Sequence, residues 1–211
     1  MKFDAFLALS PKLTNPVLPG EESHLKMAPP ERRELMRNID PDTFNPRRAA
    51  VLALVYPDNG QACLALIRRN SYSGVHSAQI AFPGGKIEAD DASALHAALR
   101  ETEEEIGLDR SAIQVLSALS PVYIPPSNFC VSPFLAFFAS TPRFIPDPRE
   151  VSEMISFPLA ALLNDETVRL RKMPTSYSSA IDVPCFSYDG NDIWGATAMM
   201  LSELKDVLKN P

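Results

Sequence analysis

Residues 82–108 read FPGGKIEADDASALHAALRETEEEIGL. This stretch decides the reading of the chain, because it couples a glycine turn at Gly84 and Gly85 to a helix that ends in Glu101, Glu103, Glu104 and Glu105. Leu95, Leu99 and Ile106, with Ala98 and Thr102, recur at the helical period, so a helix is expected from about Asp91 to Ile106, with Gly107 as its stop. Like charges three and four positions apart on a helix repel by roughly 0.2–0.5 kcal/mol per pair. The glutamates therefore need either a counter-charge or a fully solvated face.

On a helical wheel at about 100° per residue, Glu104 and Glu105 fall within about 60° on either side of Glu101, while Glu103 points away. The three carboxylates share one face, off the apolar stripe, and are positioned to meet a cleft. Clustered carboxylates of this kind offer hard oxygen ligands to Mg²⁺ or Mn²⁺, which would offset their mutual repulsion. Taken alone, an acidic run on a helix is more often a solvated surface. The glycine turn at fixed spacing shifts the balance, since Gly84 and Gly85 allow a backbone to come close to a ligand.

The stretch closely resembles the Nudix box, whose general form is G, five residues, E, seven residues, then R-E-U-x-E-E-x-G-U with U apolar. Arg100, Glu101, Glu104, Glu105, Gly107 and Leu108 match directly, and Thr102 stands where an apolar residue is usual. Gly85 lies one position further from Arg100 than the general box allows, and Asp91 holds the place of the first glutamate. An extra residue of this kind is typical of the coenzyme A pyrophosphatase branch. Part of that branch's upstream segment is also present in ALIRRNSYSGVHSAQIAFPGG, residues 65–85, through Arg69, His76, Gln79 and Phe82 to Gly85. Asn70, Gly74 and Ala78 depart from it. WGATA at 194–198 is similar to the family's last helix.

The resemblance implies a Nudix-type α/β/α sandwich with a mixed β-sheet and hydrolysis of a diphosphate linked to another group. It implies Mg²⁺ or Mn²⁺ held mainly by Glu101 and Glu105, with Glu104 as a further or water-mediated ligand. Arg100, placed away from the acidic face by helix geometry, is expected to pair with a carboxylate or a backbone carbonyl and fix the helix. The general base is either a box glutamate or Glu150, and Glu150 reads equally well as an ordinary loop charge. Gly84, Gly85, Arg69, Lys86 and His76 are the expected substrate contacts, His76 being as readily a structural loop residue. Strand alternation puts Arg68 and Arg69 on opposite faces, so only one should enter the site. Tyr123 and Phe129 are candidates for a substrate pocket, Phe129 reading better as core. The substrate implied is coenzyme A or its thioesters. ADP-ribose, NADH or a nucleoside triphosphate is the alternative, and a non-catalytic ligand-sensing module a more distant one.

Around this centre, 211 residues suit one domain with embellishments. The division expected is an N-terminal extension over 1–47, packed on a hydrolase domain over 48–211. The extension would cover the sheet, meet a second subunit in a homodimer, or shape the pocket. It should contain an amphipathic stretch from Phe3 to Leu9 and a helix near Glu31 to Arg37. AAVLALVYP and ACLALIRR, separated by DNGQ, read as a hairpin with an Asn-Gly turn. Further strands are expected in AIQVLSAL, FCVSPFLAFFAS, EMISF, VRLR and DVPCFSY, with helices in PLAALLND and at the C-terminus. Strands with interspersed helices suggest an α/β fold with a mixed sheet.

A net charge of −6 and a pI near 5.1 argue against a nucleic-acid or anionic-membrane binder. No segment approaches the roughly 18 apolar residues of a membrane span, and the N-terminus lacks a secretory pattern, so a cytoplasmic protein acting on a small-molecule nucleotide is expected. Cys63, Cys130 and Cys185 are too dispersed for disulfides or zinc and read as buried small hydrophobes.

Overall fold

The structure is a computed structural model that describes residues 1–70, 79–175 and 178–211. Three short helices precede the sheet: α1 (Phe3–Leu9), α2 (Glu21–Lys26) and α3 (Arg33–Arg37), the last entered through a 3₁₀ turn at Pro30–Arg32. α2 has no counterpart in the sequence reading. Six residues are too few to show a period, and a helix so short is stable only through tertiary contacts, here with the C-terminal helix.

β1 (Arg47–Asp58) and β2 (Gln61–Arg69) form the expected hairpin. Asn59 at φ 47° and Gly60 at φ 75° take the left-handed conformation that a tight two-residue turn requires. There follow β3 (Ile80–Ala81), β4 (Gly84–Lys86), α4 (Ala94–Ile106), β5 (Ile113–Ala118), β6 (Val122–Ile124) and β7 (Phe129–Phe138). β8 (Val151–Pro158), α5 (Leu159–Leu163), β9 (Val168–Thr175), β10 (Ser178–Tyr188), β11 (Asn191–Ile193) and α6 (Gly195–Lys209) complete the chain.

Strands β1 to β8 form one mixed sheet. β1 and β7 run parallel, from Arg47 opposite Phe129 to Val55 opposite Phe137, and the other pairings are antiparallel. β9, β10 and β11 make a separate three-stranded sheet. The pleat divides the core between two faces. Ala53, Val55, Leu64 and Leu66 pack with Leu201 and Leu204 of α6 and with Phe3 and Phe6 of α1. Leu52, Leu54, Ala65 and Ile67 pack with Ile106 of α4. The result is an α/β/α sandwich. Among the described residues no helix is long and apolar enough to cross a membrane. The three cysteines are buried and free, as expected.

α4 begins three residues later than its periodicity suggests. The Ser93 hydroxyl accepts from the His96 N–H at 3.1 Å and caps the helix. Asp91 is diverted before it, its carboxylate accepting from the Glu88 N–H at 2.8 Å. Gly107, at φ 68°, ends the helix as expected.

Candidate active site

β4 runs antiparallel to β1, with Gly84 opposite Val51 and Gly85 opposite Ala50. Gly84 sits at φ 143°, and a Cβ there would lie 2.3 Å from the Ala50 carbonyl oxygen. A Cβ on Gly85 would lie 2.4 Å from the carboxylate of Glu101. The two glycines thus bring a bare backbone against β1 on one side and against the acidic end of α4 on the other.

The three box glutamates form a gradient of burial around α4 rather than one exposed face. The Glu105 side chain is 1% exposed, that of Glu101 15%, and that of Glu104 60%. The expected stripe is rotated: Ala97, Ala98, Thr102, Glu105 and Ile106 are buried, while Leu95 and Leu99 are only half-buried. Glu105 is enclosed because β4 lies on one side of it and the loop before β8 folds over the helix end. In that loop Ile145 N donates to Ile106 O and Asp147 N to Glu105 O, both at 2.9 Å.

Glu105 accepts from the Gly84 N–H at 2.8 Å and from Arg69 at 3.0 Å, and Arg69 also donates to the Gly84 carbonyl at 3.3 Å. Burial pushes its pKa up to about 7, against the pull of Arg69 and the Gly84 N–H, and the charges of Glu101 and Glu150 raise it further. Glu101 is likewise raised, first by burial and then by Glu104 and Glu150, with Arg100 opposing. Burial thus works against the charged form of both carboxylates where they meet the glycine turn.

Arg100 does not point away from this cluster. Its guanidinium donates to Glu101 at 2.9 Å and to Glu104 at 3.1 Å, to both oxygens of Asp91 at 2.9 and 3.0 Å, and to the Lys86 carbonyl at 3.3 Å. The wheel placed its Cβ correctly, but a long side chain reaches round the helix, and Glu104 is its i+4 neighbour. The expected pairing with a carboxylate and a carbonyl is present. Asp91, in the place of the box's first glutamate, is the anchor: its side chain is 2% exposed, and bonds from Arg100 hold its carboxyl well below the usual range.

The remaining candidates divide. Arg68 and Arg69 do part to opposite faces, Arg68 pairing with Glu153 at 2.8 Å while Arg69 enters the site. Arg69 and Lys86, with Gly84, Gly85, Tyr123 and Phe129, border a cavity of about 360 Å³. Phe129, read as core, both packs on the core and faces this cavity, with the Arg47 guanidinium 4.1 Å over its ring. Glu150 is exposed and close enough to Glu101 and Glu105 for its charge to be felt at both. His76 lies outside the described residues. The Arg69–Glu105 pair went unforeseen, although strand alternation had already narrowed the choice to one arginine.

Among the described residues, no three His, Cys, Asp or Glu side chains are gathered into a metal cage. The expected trio of Glu101, Glu104 and Glu105 is instead shared between Arg69 and Arg100, whose charges meet the repulsion that would otherwise splay it. The residues nonetheless fit a divalent cation, since the donors are all hard oxygens and Glu101 and Glu105, both raised first by burial, also feel the charges of Glu104 and Glu101 respectively, and of Glu150.

The sandwich, the glycine turn and this helix define the class. The NUDIX domain description matches residues 46–176, and the chain belongs to the Nudix family. It is 36% identical over 169 residues to Nudix hydrolase 15, mitochondrial, of Arabidopsis thaliana, covering 77% of this chain and 59% of that protein. It is 32% identical over 177 residues to the uncharacterized Nudix hydrolase NudL of Escherichia coli K12, covering 82% and 89%. It is also 32% identical over 157 residues to the human mitochondrial coenzyme A diphosphatase NUDT8, covering 74% and 66%. The chain spans only 59% and 56% of the lengths of the two plant relatives it matches. In fold it is similar to a Nudix hydrolase from M. smegmatis, RenU, with a TM-score of 0.52 at 19% identity, over 78% of this chain and 88% of that one. The MutT protein from Methanosarcina mazei Go1 gives a TM-score of 0.51 at 15% identity, over 78% and 96%.

Proposed function

We propose that this chain is a divalent-cation-dependent hydrolase that cleaves the diphosphate of coenzyme A or its thioesters, releasing 3',5'-ADP and (acyl-)4'-phosphopantetheine. The observation that carries the catalytic reading is Glu105, a carboxylate 1% exposed and raised by burial, set against the bare backbone of Gly84 with Glu101 beside it. The substrate reading is supported by the extra residue between Gly85 and Arg100 and by similarity to a relative named as a coenzyme A diphosphatase.

Glu101, Glu105 and Glu104 would hold Mg²⁺ or Mn²⁺, which supplies charge neutralisation for the diphosphate and lowers the pKa of the attacking water. Water adds to one phosphorus, the bridging P–O bond breaks, and the departing phosphate keeps the electron pair. The water's proton passes to a carboxylate, either one of the box glutamates or Glu150. Arg69 sustains the charge of Glu105 in its buried position, and Arg100, braced by Asp91, fixes Glu101. Lys86 and Arg69 border the cavity beside the glycine turn and would meet substrate phosphates.

The test is a hydrolysis screen with Mn²⁺ across coenzyme A, acetyl-coenzyme A, NADH, ADP-ribose and dNTPs, with products identified by mass. Preferred conversion of the coenzyme A pair to 3',5'-ADP is expected. Intact coenzyme A alongside cleaved ADP-ribose or dNTP would overturn the substrate reading. Ligand binding without turnover of any of them would overturn the catalytic one.

A further inference from the structure

The row of β1 side chains that faces the cavity runs on past its lining. Val51 and Ala49 line the cavity, and alternation along the strand puts Arg47 next in the same row, while Ala50 turns to α4. On β4, Gly84 lies opposite Val51 and Lys86 opposite Ala49, so Arg47 continues a line that starts at the glycine turn. From Ala50, the partner of Gly85, it is three residues further, about 10 Å of strand. The Arg47 guanidinium lies 4.1 Å over the Phe129 ring and donates to the Ser127 carbonyl at 2.7 Å. Among the described residues no carboxylate pairs with it, whereas Arg68, Arg69 and Arg100 each have one. Its charge is held in place and left unneutralised.

Phe44 stands on the segment that leads into β1. It is 55% exposed, and its ring stacks on that of the cavity-lining Tyr123, with 6.0 Å between centroids and 22° between planes. One asparagine ties these groups together. Asn128, at φ 50°, donates to the Phe44 carbonyl at 3.1 Å and accepts from the Tyr123 hydroxyl at 3.0 Å, while its own carbonyl accepts from the Arg47 N–H at 2.9 Å. Further back, α2 is latched to α6: the Gly20 N–H donates to Glu203 at 3.0 Å, and Lys26 Nζ lies 2.5 Å from Asp206. The segment that carries Phe44 is therefore fastened on both sides of it.

A ring stacked on one side and more than half exposed suits a flat partner. A fixed guanidinium without a carboxylate suits an anion, and phosphate matches its planar fork. A nucleoside with a phosphate on its ribose, in addition to the diphosphate at the glycine turn, supplies both. We propose that Phe44 and Arg47 form an outer station for the nucleoside end of the substrate, Phe44 stacking the base and Arg47 holding a 3'-phosphate. The pair sets the preference for coenzyme A over nucleotides that lack this phosphate. This rests on the coenzyme A reading above, and the experiment separates the two.

Coenzyme A and 3'-dephospho-coenzyme A differ only in that phosphate, and 3',5'-ADP and 5'-AMP form the same contrast with no diphosphate to cleave. The readouts are kcat/KM for the first pair and calorimetric Kd for the second. The wild type should favour the 3'-phosphate in both. Arg47→Met, which keeps the stem but removes the charge, should lower each preference by about tenfold or more, and Arg47→Lys should keep part of it. Phe44→Ala should weaken both members of each pair by about fivefold or more, and Phe44→Tyr should retain binding. An unaltered preference in Arg47→Met, or equal Kd for 3',5'-ADP in wild type and Phe44→Ala, would overturn the proposal. If no coenzyme A is cleaved but 3',5'-ADP binds and Arg47→Met removes its advantage over 5'-AMP, the station stands and the substrate reading falls. If coenzyme A is cleaved with the same preference in wild type and Arg47→Met, the reverse holds.

Discussion

Among the described residues two glutamates lie buried, Glu105 on α4 and Glu203 on α6, with side chains 1% and 0% exposed. Burial pushes both carboxyls toward a higher pKa, yet the net shifts oppose each other. Glu105 rises to about 7, whereas at Glu203 the nearby His24 and the hydrogen bond from Ser120 outweigh burial and hold it below its ordinary value. Glu203 takes the N–H groups of Gly20 and Ser120 at 3.0 and 2.9 Å, with His24 Nε2 3.5 Å away. Glu105 has one N–H and one arginine, and then two further carboxylates within electrostatic reach. A buried acid whose partners satisfy it joins parts of the structure. One that burial leaves raised, in a cleft beside other carboxylates, is a functional-site candidate.

The largest effect should separate these two directly. Glu105→Gln or Glu101→Gln is expected to lower kcat by about 10²–10³, the scale of losing a preorganised charged group, with the fold intact by circular dichroism. Glu203→Gln should instead lower the melting midpoint, at a cost of about 1–3 kcal/mol, without that loss of kcat. Equal catalytic losses from both would erase the distinction.

The neighbouring glycines sharpen it. Gly84→Ala drives a Cβ into the β1 backbone at a positive φ and should cost on the order of 2–4 kcal/mol in denaturant unfolding. Gly85→Ala meets only the movable end of Glu101, so it should reduce turnover more than stability. A comparable stability loss from the two would mean that Glu101 is more rigidly held than its contacts suggest.

A smaller effect follows from linkage. The folded pKa of Glu105 lies above its unfolded value of 4.5, so the folded state holds the extra proton between about pH 4.5 and 7. Stability from this group is present below that window and is lost as pH rises through about 7, by on the order of 3 kcal/mol. In chelator, the melting midpoint of the wild type should fall relative to that of Glu105→Gln across that window. Parallel curves would mean that Arg69 compensates Glu105 fully.

The glycine turn, the helix and the sandwich were legible because each leaves a local trace: Asn59-Gly60 between apolar runs, the apolar period of α4, and Gly107 as its stop. The rotation that buries Glu105 left no such trace, because it depends on β4 and the 145–147 loop closing over the helix end. Arg100 was misplaced for a related reason: the wheel locates Cβ atoms, and a guanidinium spans several of them. α2 and its latch were illegible because a six-residue helix draws its order from Glu203 and Asp206, some 180 residues away.

If a divalent cation completes the site around buried Glu105, metal uptake must depend on that carboxylate. Calorimetric titration of Mn²⁺ into the wild type and into Glu105→Gln, both stripped of metal, reads this dependence. Saturable uptake by the wild type and its loss in the variant is predicted. Equal uptake by the two proteins, or none by either, would contradict it.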